Sequence, residues 1–121
     1  MSQPGTEKNA EAEFMRNKAR NLVEESIDAG PERLSQINIE MTSIKAFFGE
    51  KLDNILVFKA DFLDKLRLEK GSVAAAKVSW NNTDEGRNEI ILRGIIGRIK
   101  DQVSVNKSRI NVMHDQAFGQ Y

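Results

Sequence analysis

Apolar residues recur at every seventh position through the middle of the chain: Leu34, Met41, Phe48, Ile55 and Phe62. Ile37, Ile44 and Phe58 each follow a member of that series by three. A heptad seam of this kind predicts one long helix over 31–70 with a narrow, coiled-coil-like stripe. Lys51 and Lys65 interrupt the second series, with Leu52 and Leu66 beside them. Pro31 suits a first helical turn, where its missing N–H costs nothing, and Glu32 suits the positive helix end. Gly71-Ser72 ends the pattern near Lys70. Such a helix is roughly 60 Å long at about 1.5 Å per residue. A compact globule of this chain length is roughly 27 Å across. The pattern therefore predicts an elongated molecule or a break, with Gly49 the place for one.

On either side the same period continues. Residues 1–6 read as a tail. Met15, Ala19, Leu22 and Ile27 predict a first helix over 8–28, stopped by Gly30-Pro31. A short helix over 73–79 follows a Ser72 cap, and Ser79 to Thr83 reads as a polar loop holding Trp80. Asn82 with Glu85, or Thr83 alone, caps a last helix over 83–118. Its seam is Leu92, Ile95, Ile96, Ile99, Val103, Ile110 and Met113. Asn106 falls on that seam; either it fixes register or oligomer state, or the seam ends there. The expected fold is all-α: a long antiparallel helical hairpin with an N-terminal helix, one helical domain over 7–121.

The faces of the last helix carry more than a hairpin needs. Projected at about 100° per residue, Ile90, Ile91, Val105 and Val112 lie away from the main seam. Arg87, Arg98 and Arg109 line one side of the seam, and Arg93, Lys100 and Lys107 the other. Leu56, Val57 and Leu63 widen the apolar face of the second helix. Two narrow amphipathic helices do not bury so much surface within one subunit. Those seven apolar residues predict homo-oligomerisation; the alternative is that the N-terminal helix covers the second face.

Composition narrows the chemistry. The chain has 121 residues, 40% apolar and 30% charged, an ordinary balance for one folded domain. It has no cysteine and one histidine, His114, so thiolate catalysis, disulfides and a Cys- or His-rich metal site are not expected. No apolar run reaches the ~18 residues of a membrane span, and Met1 to Lys8 lacks the apolar segment of a signal peptide. A cytoplasmic protein without membrane contact, cofactor or small-molecule substrate is the expectation. Net charge is zero, but residues 1–64 hold eight basic and twelve acidic side chains, and residues 65–109 ten basic and five acidic. The basic segment reads as a phosphate-binding surface or as charges pairing with Glu40, Asp61 and Asp64. Trp80, between Lys77 and Arg87, either stacks on unpaired bases or plugs the end of a helical bundle.

Sharper motifs fail. Gly94-Ile95-Ile96-Gly97 has the spacing of a KH loop but sits inside a periodic helix, where close helix packing explains the glycines. There is no Walker A loop or dinucleotide fingerprint. Asn81-Asn82-Thr83 has the spacing of a glycosylation sequon, with nothing else to suggest secretion. His114-Asp115 lacks a nucleophile in a recognisable setting. Glu24-Glu25 and Asp84-Glu85 fall at helix ends.

The run from Lys59 through Lys65-Leu66-Arg67-Leu68-Glu69-Lys70-Gly71-Ser72 to Lys77 precedes a polar break. A long helix then ends in Asn106-Lys107-Ser108-Arg109-Ile110-Asn111-Val112. Over roughly 31–113 this order resembles small helical-hairpin proteins of tailed bacteriophages. In layout it is similar to the phage recombination mediators of the UvsY type. That resemblance implies an all-helical oligomer that binds single-stranded DNA and works with recombination proteins. It implies nucleic-acid contacts at Lys65, Arg67, Lys70, Lys77, Arg93, Lys100, Lys107 and Arg109, and Trp80 would add stacking. Leu66-Arg67-Leu68 stands where many mediators carry a tyrosine pair and a glycine. Three functions compete: a non-enzymatic single-strand-binding accessory factor of phage recombination or replication, a structural assembly protein of a phage particle, and a helical regulator that captures another protein.

Overall fold

The computed structural model describes the backbone of residues 4–118 and the side chains of residues 10–69 and 71–116. Four helices follow one another: α1 (Pro4–Ser26), α2 (Pro31–Lys70), α3 (Val73–Asn81) and α4 (Asp84–Phe118). The fold is all-α, with no strand among the described residues. Residues 1–3 of the expected tail lie outside the described residues, and helix begins at Pro4 rather than near Lys8.

Each boundary has a local cause. Leu34 N–H donates to the Gly30 carbonyl at 2.9 Å, so α2 is hydrogen-bonded from its first turn, with Pro31 and Glu32 where the sequence places them. α2 runs unbroken through Gly49. It stops at Gly71, whose φ of 67° closes a bond from its N–H to the Arg67 carbonyl at 2.9 Å. That is a left-handed cap, which glycine adopts without a Cβ clash. Ser72 then starts α3, its Oγ accepting from Ala75 N–H at 3.3 Å. Of the two caps expected for α4, Thr83 is the one used. Its Oγ1 accepts from Gly86 N–H at 3.0 Å and donates to the Trp80 carbonyl at 2.6 Å.

The helices gather into two compact units. The first holds α1, α2 up to Ala46 and α4 from Arg98. Its core is Ala19, Leu22, Leu34, Ile37, Met41, Ile44 and Ile99. Asn106 is fully buried there. Its amide donates to Asn38 Oδ1 at 3.0 Å and its carbonyl accepts from Gln102 at 3.0 Å. Asn38 in turn reaches the Val103 carbonyl at 3.4 Å. Of the two expectations for this seam asparagine, the structure supports register, set within one subunit. Any slip of α2 against α4 would leave two buried amides unsatisfied, at roughly 1–3 kcal/mol per group. Arg109 donates to the Ser26 and Ile27 carbonyls at the end of α1. Arg33 forks onto Glu25 at 2.6 and 2.7 Å.

The second unit spans Phe47–Gly97. Phe48, Ala76, Trp80, Leu92 and Ile95 are its buried apolar residues. The seam thins here: Ile55 and Phe62 are half-buried, and Phe58 is 51% exposed. In each unit α2 and α4 pack against each other, and their contacts run antiparallel, Asn38 meeting Asn106 and Lys59 meeting Glu89.

Candidate functional site

Trp80 decides how the basic segment is read. It lies in the last turn of α3, not in a loop, because the helix extends through Asn81. Only 1% of its surface is exposed. Its ring packs edge-on against Phe62 at 5.2 Å between centroids and tilted against Phe58 at 6.1 Å. A ring held there has no free face for a base, so Trp80 is removed from the expected nucleic-acid contacts. Of the two alternatives, it plugs the unit.

Its indole N–H donates to Glu89 Oε1 at 2.8 Å. Glu89, in the second turn of α4, is 6% exposed. It also receives Lys59 at 2.9 Å and the Arg93 Nε at 2.8 Å. Lys59 rises from α2 and also stands over the Trp80 ring, 5.9 Å from its centroid. Burial works against ionising Glu89, but the hydrogen bonds from Lys59, Arg93 and Trp80 outweigh it. They hold the carboxyl at about 2, down from an ordinary 4.5. A buried carboxylate with three donors is satisfied and basic chemistry is quenched there: it offers no proton near neutral pH.

That pairing has a consequence for stability. A depressed carboxylate pKa stabilises the fold above the unfolded value and loses that contribution as pH falls toward the folded value. The window here runs from 4.5 down to about 2. At about 1.4 kcal/mol per pH unit, the loss is on the order of 3 kcal/mol. We expect thermal melts of the native chain to fall steeply across that window. Melts of Glu89→Gln should start lower near neutrality and fall less with acid. Parallel curves for the two proteins would show that Glu89 carries no such linkage.

The remaining basic residues are placed as follows. Lys65 and Arg67 on α2 and Lys77 on α3 are exposed. Lys100 and Lys107 are exposed on α4, seven residues apart on one side of it. Arg93 is bound to Glu89, and Arg109 caps α1, so both are committed to structure. The Lys70 side chain lies outside the described residues. The phosphate-facing set expected from the sequence is thus reduced to five described side chains. The pairing expected with Glu40, Asp61 and Asp64 is absent for these five among the described residues; Glu40 faces Arg33 instead, at 3.4 Å.

The seven apolar residues expected at an oligomer interface stand differently. Val57 is 71% exposed, Ile90 60%, Ile91 49%, Val105 51% and Val112 54%. Leu56 and Leu63 are half-buried. The alternative, that α1 covers the second face of α4, is not what the structure shows, since all four of its residues stay open. Beside two of them, Ser104, Ser108, Arg109, Met113 and Gln116 line with Val105 and Val112 an open, mostly apolar groove of about 540 Å³.

His114 is exposed. Among the described residues no three His, Cys, Asp or Glu side chains gather as a metal site would require. No helix among them is long and apolar enough to cross a membrane. Set against family models, curated proteins and solved structures, the chain matches none.

Proposed function

We propose that this chain is a non-catalytic assembly protein, a helical subunit that works by associating with copies of itself. The observation that carries this reading is the second apolar face of α4. Ile90, Ile91, Val105 and Val112 are each about half exposed or more in the single chain. Scattered surface apolars need no explanation, but a set aligned on one helix face marks an interaction surface. Among the described residues the one buried acid, Glu89, is fully paired, and the buried amides of Asn38 and Asn106 pair with each other.

Sedimentation velocity over a wide concentration range tests this directly. The native chain should sediment as an oligomer, and Ile90→Asp with Val105→Asp should shift it toward the monomer while helicity by circular dichroism is kept. A native chain that stays monomeric throughout would end the proposal.

A second reading keeps single-stranded DNA as a partner in phage recombination. It is favoured by Lys100 and Lys107, which are exposed and have no ion pair among the described residues. Without Trp80 its mechanism is electrostatic alone, many weak phosphate contacts multiplied over an oligomer. Anisotropy of a labelled oligonucleotide would then fall steeply with salt and be weakened by Lys100→Glu with Lys107→Glu. Absence of binding at low salt would leave the assembly reading alone.

A further inference from the structure

The second unit, Phe47–Gly97, carries two exposed helix faces of opposite character. On α2, Val57 is 71% exposed and Leu68 84%. Projected at about 100° per residue, Glu50, Asp53, Asp61 and Asp64 all lie within about 40° of Val57. All four carboxylates are exposed, and none has a partner among the described residues. The nearest basic side chains of α2, Lys65 and Arg67, fall about 80° to either side. This face is therefore apolar along its centre and uniformly acidic around it.

On α4 the arrangement is inverted. Ile90 is 60% exposed and Ile91 49%. Arg87 and Arg93 lie about 60° to either side of Ile90. Arg87 is exposed and held loosely, by the Asn82 carbonyl at 2.8 Å and by Asp84 at 3.9 Å. Arg93 gives its Nε to Glu89, yet its side chain is still 54% exposed. Within the second unit the nearest exposed carboxylate of α4 is Asp84, about 120° from Ile90; Asp101 shares the angle of Ile90 but lies three turns further along, in the first unit. Here the apolar centre is flanked by positive charge.

Neither face complements itself. Two copies of the α2 face brought together would set four carboxylates against four, and two copies of the α4 face would oppose arginines. Each face complements the other. We infer that the second unit docks on another copy of this chain head to tail, the acidic α2 face of one copy on the basic α4 face of the next. Val57 and Leu68 then pack on Ile90 and Ile91, with Asp61 and Asp64 turned to Arg87. Like charges across an interface suppress the wrong pairings while opposite charges fix the right one. Every copy has one face of each kind, so the contact repeats; it closes a ring if the rotation allows and extends a filament if it does not.

This rests on the self-association proposed above, and the test separates the two. Two variants are made: Asp61→Lys with Asp64→Lys on α2, and Arg87→Glu on α4. Each alone opposes like charges and should associate at least about tenfold more weakly than the native chain by sedimentation. Mixed in equal amounts they should recover association, because the reversed α2 face of one meets the reversed α4 face of the other. Circular dichroism and Trp80 fluorescence confirm that each is folded; Asp61→Asn with Asp64→Asn and Arg87→Gln replace any variant that is not, and these neutral changes are read by weakening alone, not by mixing. If both variants associate as the native chain does, or if both are weakened and the mixture does not recover, the head-to-tail pairing is wrong and self-association stands. If the native chain never associates, both fall together.

Discussion

Replacing Trp80 with alanine is expected to cost this protein about 3–5 kcal/mol, enough to unfold much of the population of a marginally stable domain. The ring is buried to 1%, and two phenylalanines close on it. The change leaves a cavity under the end of α3 and also takes from buried Glu89 one of its three donors. Trp80→Phe separates these effects. It keeps most of the volume and loses the indole N–H, so its cost should be nearer the roughly 1–3 kcal/mol of an unsatisfied buried acceptor. Chemical denaturation of the three proteins measures both. If alanine costs no more than phenylalanine, the ring is not packed as described.

The second large effect is at Gly86. A Cβ there would stand 1.9 Å from the Trp80 carbonyl oxygen and 2.8 Å from its carbon. Both are backbone atoms, and the same carbonyl accepts from the Thr83 hydroxyl and the Thr83 N–H. No flexible side chain can yield, so the turn between α3 and α4 must open. Helix propensity alone favours alanine over glycine by roughly 1 kcal/mol. Gly86→Ala should nonetheless destabilise the chain by about 2–4 kcal/mol, in the range of backbone clash and lost capping combined. An alanine variant as stable as the native chain would show that the turn is looser than the contact implies. Gly49, which meets nothing within 4 Å, is the internal control: alanine there should be neutral or stabilising.

These two residues also mark where the sequence stopped being informative. The heptad of Leu34, Met41 and Phe48 announced α2, and all three are buried. Periodicity is a local property, so it survives without knowledge of the partner helix. Trp80 was a different matter. Its neighbours Asn81, Asn82 and Thr83 are turn formers, and they drew the end of the helix two residues too early; the helix continued because the ring gained burial against α2. Glu89 carried no signal, since one more charged residue in a charged helix looks solvated. Only the approach of Lys59 from α2 and Trp80 from α3 makes it a buried anion. Asn106 was visible as a polar residue on an apolar seam, but its partner Asn38 sits beside that seam, at Ile37's flank. The exposed apolar residues of α4 were legible because projection needs only the helix. On the self-association proposed above, what would cover them lies outside one chain.

Arg109 ties together parts of the molecule that are made at very different times. Its guanidinium reaches the carbonyls that end α1, 83 residues earlier in the chain. At about 5–20 residues per second, the ribosome takes on the order of ten seconds to deliver one after the other. During that interval α1 has neither its terminal donor nor the α4 half of its packing surface, and an isolated helix of this length is marginal in water. Its apolar stripe of Ala19 and Leu22 has α2 alone to lean on. The N-terminal helix is therefore the part of this protein that waits for the C-terminal one. In a crowded polysome that delay is the time when neighbouring nascent chains, each with the same bare faces, compete for one another.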